Sequence, residues 1–391
     1  MDAKQFHNFT DMWKKPSIDE THLLLWIILM LLIFIGGTLG NLLTIIAIMT
    51  TKKLQTHSNI LVLNMAVVDC LLSSVIYPIK VIMVLLYNFL PYTDQTKFEF
   101  TIFCRYYGFI NVALSFSSNM TSCAIAVNRF IAIVYARKYH TMQKLPLFLL
   151  MILMPWIVPL GVSSLGLLDR YGGDSFHLTP IGLCTFNLDL QTASNHNWKF
   201  IIAMAVPCLM LPTLIIAASY VAIYLKVIQV RRNLRRAIYS PVLRPNNLLT
   251  DSSLSCTNTN GCVQAPTVIC VRLKRFEHRV KGARMMFICF TMFCATYYPA
   301  TVVVAVAKHF KSRILLDCPP LLLWVFGLYF AGCCINPIVY AWMNSDFRKA
   351  FKGLLYAFGG KLRDIFVGRI LLLTRRMESH TFARFCCMRS I

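Results

Sequence analysis

The sequence predicts an all-α membrane protein, a bundle of seven membrane-crossing helices followed by a short amphipathic eighth. Three observations predict it. Seven apolar runs of at least 22 residues divide the 391-residue chain, and a helix rising about 1.5 Å per residue needs about 20 to cross a hydrocarbon core about 30 Å thick. Hydrophobic residues make up 57% and charged residues 14%, with a mean hydropathy of +0.60; a soluble fold of that balance would be covered in apolar surface. Finally, 27 of the 39 Lys and Arg lie in segments on one side of such a bundle, against 5 Asp and Glu, while the other side carries ten of each sign. That asymmetry sets the amino end outside and the basic segments in the cytoplasm, where they also meet anionic inner-leaflet lipid. Nucleic-acid binding is excluded as the meaning of the net charge of +23, because no basic helix stands on a soluble domain.

The first 22 residues read as an exterior tail. They are polar and carry both signs of charge, without the apolar run of a signal peptide, so Leu23 onward is expected to act as an uncleaved signal anchor. Asn8-Phe9-Thr10 is a glycosylation acceptor in that tail. The first span, Leu23 to Met49, contains Gly40-Asn41. The second, Ile60 to Leu86, contains Asp69, the only acidic side chain inside any span, and Lys80 after Tyr77-Pro78. An ionisable group at that depth is costly and faces a bundle interior. Asn41, Ser118 and Asn336 are its natural oxygen-bearing neighbours from other helices. Asp69 with Ser118 suits a small hard cation such as sodium, the only metal or cofactor the sequence suggests; the alternative is a carboxyl that is simply hydrogen-bonded within the bundle.

The third span, Tyr106 to Val134, carries Asn111 near its outer end and Asn128-Arg129-Phe130 at its inner end, where five fixed guanidinium donors need acceptors. Asn119-Met120-Thr121 matches an acceptor tripeptide but lies in mid-membrane, so helix packing is its reading. The fourth span is Leu145 to Leu168, with Trp156, and the fifth Trp198 to Ile228, with Pro212 and Tyr220. Of the fifteen cysteines, only Cys104, Cys184 and Cys318 fall on the exterior. A bridge between Cys104 and Cys184 would pin the long loop over the mouth of the bundle, leaving Cys318 over. The first two cytoplasmic loops are short. The third is long, and about 236–270 is expected to lack structure at its Ser-, Thr-, Asn- and Pro-rich centre, Pro241 to Pro266. Its basic flanks, Arg231-Arg232 and Arg235-Arg236 on one side and Arg275, Arg279 and Lys281 on the other, recur at helical spacing and are expected to prolong the neighbouring helices.

The sixth span, Ala283 to Ala307, contains Phe293, Tyr297 and Pro299; the seventh, Leu321 to Trp342, contains Asn336-Pro337-Ile338-Val339-Tyr340. Each proline removes a ladder hydrogen bond and permits a bend, as a conformational switch requires. The bundle thus covers 23–344, the eighth helix 345–358 and a basic cytoplasmic tail 359–391, where Cys386-Cys387 is an S-acylation candidate beside the reading of unmodified thiols.

Gly40-Asn41, the Asp69 motif, Cys104 with Cys184, Asn128-Arg129-Phe130, Trp156, Pro212 with Tyr220, Phe293 with Pro299, Asn336 to Tyr340 and Phe347-Arg348-Lys349-Ala350-Phe351 together resemble a rhodopsin-like G-protein-coupled receptor, from about Leu23 to Phe358. The resemblance implies a receptor, not an enzyme, at the plasma membrane, with a heterotrimeric G protein as partner and arrestin and receptor kinases besides. It implies that Asn128, Arg129, Phe130, Tyr220, Phe293, Pro299, Pro337 and Tyr340 serve coupling and switching as the sixth helix swings outward. Asn128 stands where an acid usually restrains the arginine, and Arg279 where a second acid is often found. The closed state is therefore expected to be weakly latched, with Arg279 repelling Arg129 and ligand-free signalling raised. Tyr297 takes the place of the usual switch tryptophan.

Asn111 occupies the site of the amine receptors' aspartate, and Phe330 the site of the opsins' retinal-attaching lysine. Lys80, Arg105, Asn111 and Tyr297 are the ligand-binding candidates. Lys80 would either meet a ligand carboxylate or phosphate or snorkel to the interface. A lipid-like anion or neutral amphiphile outranks an amine; a peptide or a melatonin-like small molecule is the alternative. The asparagine before Arg129 resembles melatonin receptors and an invertebrate orphan group, the moody and trapped-in-endoderm-like receptors; Tyr297 and Asn336-Pro337 depart from the melatonin pattern and favour the orphan group. A transporter would show internal repeats, and an intramembrane enzyme a catalytic constellation; the chain has neither echo nor paired carboxylates.

Overall fold

Helix α1 (Glu20–Thr50) buries Leu23, Trp26, Met30, Ile33, Gly37, Asn41 and Thr44, three or four residues apart, while Leu24, Leu25, Leu31 and Leu32 face outward. That stripe is what a helix packed on one side and wetted by lipid on the other requires. The structure is a computed structural model that describes residues 19–89, 94–137, 139, 145–167, 176–178, 182–186, 202–238, 264–309 and 318–360. After α1 come α2 (His57–Phe89), α3 (Asp94–Val134), α4 (Leu145–Ser164), strands β1 (Phe176–Leu178) and β2 (Cys184–Phe186), α5 (Leu211–Ile238), α6 (Gln264–His309), α7 (Pro319–Met343) and α8 (345–360). Seven of these helices are long and apolar enough to cross a membrane. Asn8, Cys386, Cys387, the centre of the third cytoplasmic loop and the basic tail beyond residue 360 lie outside the described residues.

α3 sits at the centre of the bundle, touching α2, α4, α5, α6 and both strands, while α1 and α6 pack on α7. Its helix begins at Asp94, well before the expected Tyr106. The third-loop flanks are helical: α5 runs on to Ile238, and α6 begins at Gln264, both inside the 236–270 segment expected to lack structure. At about 1.5 Å per residue the 46-residue α6 is about 69 Å long, more than twice the roughly 30 Å of a hydrocarbon core. The outer strands pair antiparallel, Phe176 opposite Phe186 and Leu178 opposite Cys184, and a Cys104–Cys184 disulfide ties the hairpin to α3. α8 lies across the inner end, its Phe347 ring 5.4 Å from Tyr340 of α7, with a Lys53–Asp346 ion pair of 2.8 Å bridging the first inner loop to it. Lys53 is largely exposed, so that pair adds little stability.

Prolines shape the walls. α2 opens into a single π turn at Leu72–Ile76 just before Pro78, and the segment leading into α5 does the same at Val206–Met210 before Pro212. A proline has no N–H for the carbonyl four residues earlier, and in hydrocarbon such a carbonyl must find another donor. Neighbouring helices provide it. Asn119 of α3 donates to the Cys208 carbonyl at 2.8 Å, the one Pro212 cannot reach. Asn41 of α1 donates to the Cys333 carbonyl at 3.1 Å, the one Pro337 leaves free. Gly40 lets α1 come this near: a Cβ there would lie 2.9 Å from Pro337 Cβ. Replacing Asn119 by Leu is expected to cost about 1 kcal/mol of stability in detergent, and less in a Pro212→Ala background, where the alanine N–H takes over the carbonyl; an equal cost in both backgrounds, measured by thermal unfolding, contradicts this assignment.

Candidate functional site

Asp69 is buried in mid-bundle, and both its oxygens are engaged from other helices. Ser118 Oγ of α3 donates to Oδ1 at 2.9 Å and Asn336 Nδ2 of α7 donates to Oδ2 at 2.8 Å. The structure thus brings three of the four expected polar-core residues together. Asn41, the fourth, is buried but holds the carbonyls of Gly37 and Cys333, at 2.8 and 3.1 Å, since the Pro337 break gives its amide a nearer task. Beside Asp69 lies a cavity of about 30 Å³, lined by Ser115, Ser118, Thr296, Asn336, Tyr297 and Tyr329 among others. It has room for about two water-sized bodies. Among the described residues no cluster of His, Cys, Asp and Glu could hold a transition metal, whereas this one-acid, hydroxyl and amide set fits a hard cation.

Where Tyr297 and Tyr329 line the cavity, their rings lie 4.7 Å apart. Tyr297 also stacks on Phe293, one turn below, at 5.0 Å. Lys80 does not reach the interface: it is 3% exposed, with Nζ 4.0 Å from the centre of the Phe330 ring and 6.0 Å from those of Tyr77 and Tyr107. An ammonium in an aromatic box of this kind is held by the ring faces. Arg105 bonds the Leu167 carbonyl at the end of α4. Asn111 is buried, and its Oδ1 has no partner among the described residues.

At the inner end, Asn128 donates to Ser58 Oγ of α2 at 2.8 Å. Arg129 has Tyr220, Tyr139 and Tyr340 as electrostatic neighbours, its Nε is buried without a partner among the described residues, and a Cβ on Gly282 of α6 would come within 3.2 Å of its Nη1. Arg279 departs from the reading of it as a repelling charge. Its guanidinium turns to α3, donating to the Ala132 carbonyl at 2.9 Å, and lies over the Tyr139 ring at 5.6 Å. A cation that cannot find a carboxylate takes the carbonyl end of a helix, whose partial charge is negative. It thereby ties α6 to α3. Phe130 packs edge-on against Tyr135 at 5.6 Å, and the buried Tyr220 stands 5.2 Å from Phe287 on α6.

Residues 40–340 match the family model described as "7 transmembrane receptor (rhodopsin family)". The chain belongs to that family. The receptor is 26% identical over 360 residues to "G-protein coupled receptor moody" of Drosophila melanogaster, across 83% of this chain and 50% of that protein. It is 26% identical over 321 residues to the alpha-1A adrenergic receptor of Oryzias latipes, across 82% of this chain and 64% of that protein. It therefore spans about half the length of the first relative and under two thirds of the second. The crystal structure of squid rhodopsin shares its fold, with a TM-score of 0.69 at 20% identity over 88% of this chain and 87% of that one. The receptor is a multi-pass plasma-membrane protein of a receptor family, not an enzyme family.

Three participants escaped the sequence reading: Ser115, Ser122 and Tyr329. Ser115 and Ser122 recur with the expected Asn111 and Ser118 every three or four residues along α3, a polar stripe that helical spacing alone would have revealed. Tyr329 carried no such signal, being one aromatic in an aromatic-rich span. The carbonyl roles of Asn41 and Asn119 follow from counting four residues back from Pro337 and Pro212, and that count needs the helix pairing as well.

Proposed function

We propose that this receptor, with its amino end outside, binds an extracellular or membrane-derived ligand in the outer half of the bundle. It then activates a heterotrimeric G protein as the inner end of α6 leaves α3. The observation that carries this reading is the inner contact itself: Arg279 and Gly282 of α6 meet the Ala132 carbonyl and Arg129 of α3, a tie of one charged hydrogen bond and close packing that can separate without unfolding either helix. An agonist drives that separation only as far as it binds the open form better than the closed one.

A neutral or anionic amphiphile is the ligand class that fits best. Asn111 stands where amine-binding relatives carry an acid, and Asp69 lies too deep and is already engaged. Among the described residues Lys80 meets the faces of Phe330, Tyr77 and Tyr107, and a ligand carbonyl, carboxylate or phosphate would complete its donors. Sodium would be held by Asp69, Ser118 and Asn336 beside the cavity, where it would supply a positive charge steadying the closed arrangement of α2, α3 and α7. Arrestin, receptor kinases and inner-leaflet anionic lipid at the basic inner face belong to the same proposal.

Arg129→Ala is expected to abolish nucleotide exchange on a panel of heterotrimeric G proteins while leaving surface expression intact; undiminished exchange contradicts the role given to Arg129. Removing the charged hydrogen bond with Arg279→Ala, worth about 1.5 to 3 kcal/mol, is expected to raise ligand-free exchange about tenfold to a hundredfold, at about 1.4 kcal/mol per factor of ten. Unchanged or lower ligand-free exchange would mean that Arg279 is no latch. Asp69→Asn is expected to remove any effect of sodium on receptor stability or agonist affinity, and a sodium response equal to the wild type's counts against the ion site.

A further inference from the structure

The inner end of α6 carries an apolar stripe that outruns the bundle. Ile269, Leu273, Phe276 and Val280 stand at i, i+4, i+7 and i+11 of one continuous helix, so they share a single face. Phe276 and Val280 pack against the inner apolar cluster. Ile269 and Leu273 continue the same face back into residues 264–278, which precede the candidate span Arg279–Val303. Off that stripe the segment is basic: Arg272, Lys274, Arg275, Arg279 and Lys281 stand with one acid, Glu277. The neighbouring end of α5 cannot balance this charge, because it carries Arg231, Arg232, Arg235 and Arg236. A second copy of the chain would bring the same sign. The complement of this face is an acidic protein with an apolar groove.

We propose that the inner extension of α6, residues 264–281, is a docking helix for a calcium-gated, acidic, helix-clasping protein of the calmodulin type, whose groove takes Ile269, Leu273 and Phe276. A groove of that kind reads an amphipathic helix through apolar anchors at i, i+4 and i+7, and its acidic rim answers the Lys and Arg around them. Calcium opens the groove and exposes its methionines, so this contact delivers a calcium signal to the inner end of the receptor. Arg279, which holds α6 to the Ala132 carbonyl of α3, lies about one helical turn beyond Phe276. The clasp therefore ends beside that tie. This inference goes beyond the coupling reading, since the docking itself needs neither agonist nor G protein.

The test uses the full-length receptor in phosphatidylcholine nanodiscs, with fluorescently labelled calmodulin as probe and anisotropy as readout. Saturable binding is expected in calcium and none in a calcium chelator. Leu273→Glu sets an acid against an acidic groove and should weaken binding about tenfold or more. Where Leu273→Glu does not yield folded receptor, Ile269→Glu gives the same comparison. Lys274→Gln with Arg275→Gln should weaken binding and flatten its dependence on salt. No binding in calcium, equal binding in chelator, or binding undiminished by the glutamate variants overturns the proposal. So does loss of calmodulin binding on adding phosphatidylserine to the discs together with slowed amide exchange over 264–278, because the segment is then a lipid-surface helix. No G protein enters the measurement, so its failure leaves the coupling reading standing, and loss of the Arg129 effect would leave this docking helix standing.

Discussion

A single carboxyl group shared between helices organises the membrane interior of this receptor. Asp69 costs free energy wherever lipid surrounds it, so α2 is stable only in an arrangement that gives both its oxygens donors. Ser118 and Asn336 meet that demand from two different helices, which fixes the rotation of α2, α3 and α7 about their axes far more narrowly than apolar packing does. Lipid tails are as apolar as leucine, so burial alone gives helices little reason to choose one face over another. The cavity beside Asp69, the tyrosine pair that lines it and the arginines below all inherit their positions from that choice.

The same logic governs the backbone. Pro212 and Pro337 each free a carbonyl inside the membrane, and Asn119 and Asn41 cross from neighbouring helices to take them. The walls can therefore bend at these points with the freed carbonyls answered, and each bend is indexed to a particular partner helix. A residue that reads as a chance glycosylation tripeptide becomes, in three dimensions, the companion of a proline on another helix. At the inner rim the exchange is similar: lacking acids at the positions of Asn128 and Arg279, the receptor closes with a hydroxyl on α2 for one and a main-chain carbonyl on α3 for the other.

Much of the fold was legible because its constraint is one-dimensional. A bilayer demands apolar runs of a certain length, and the chain holds seven of them. The partners of Asp69 were legible for a related reason, since so few oxygen-bearing side chains lie at its depth. Three things were not. Helix ends in water, such as the start of α6 at Gln264, depend on weak propensity rather than on hydrocarbon thickness. The direction of long cations depends on their neighbours: Lys80 folds into an aromatic box where snorkelling was the alternative, and Arg279 reaches a carbonyl where repulsion was expected. The descent of Phe176 onto Gly108 requires knowing how a hairpin of three-residue strands sits over the bundle, which spacing does not encode.

The central claim is that Ser118 and Asn336 stabilise the bundle through Asp69 and not through contacts of their own. Thermal unfolding of Ser118→Ala and Asn336→Ala, each made in the wild type and in Asp69→Ala, tests it directly. Each substitution is predicted to cost about 1 kcal/mol in the presence of Asp69 and almost nothing in its absence; equal costs in both backgrounds would contradict the account.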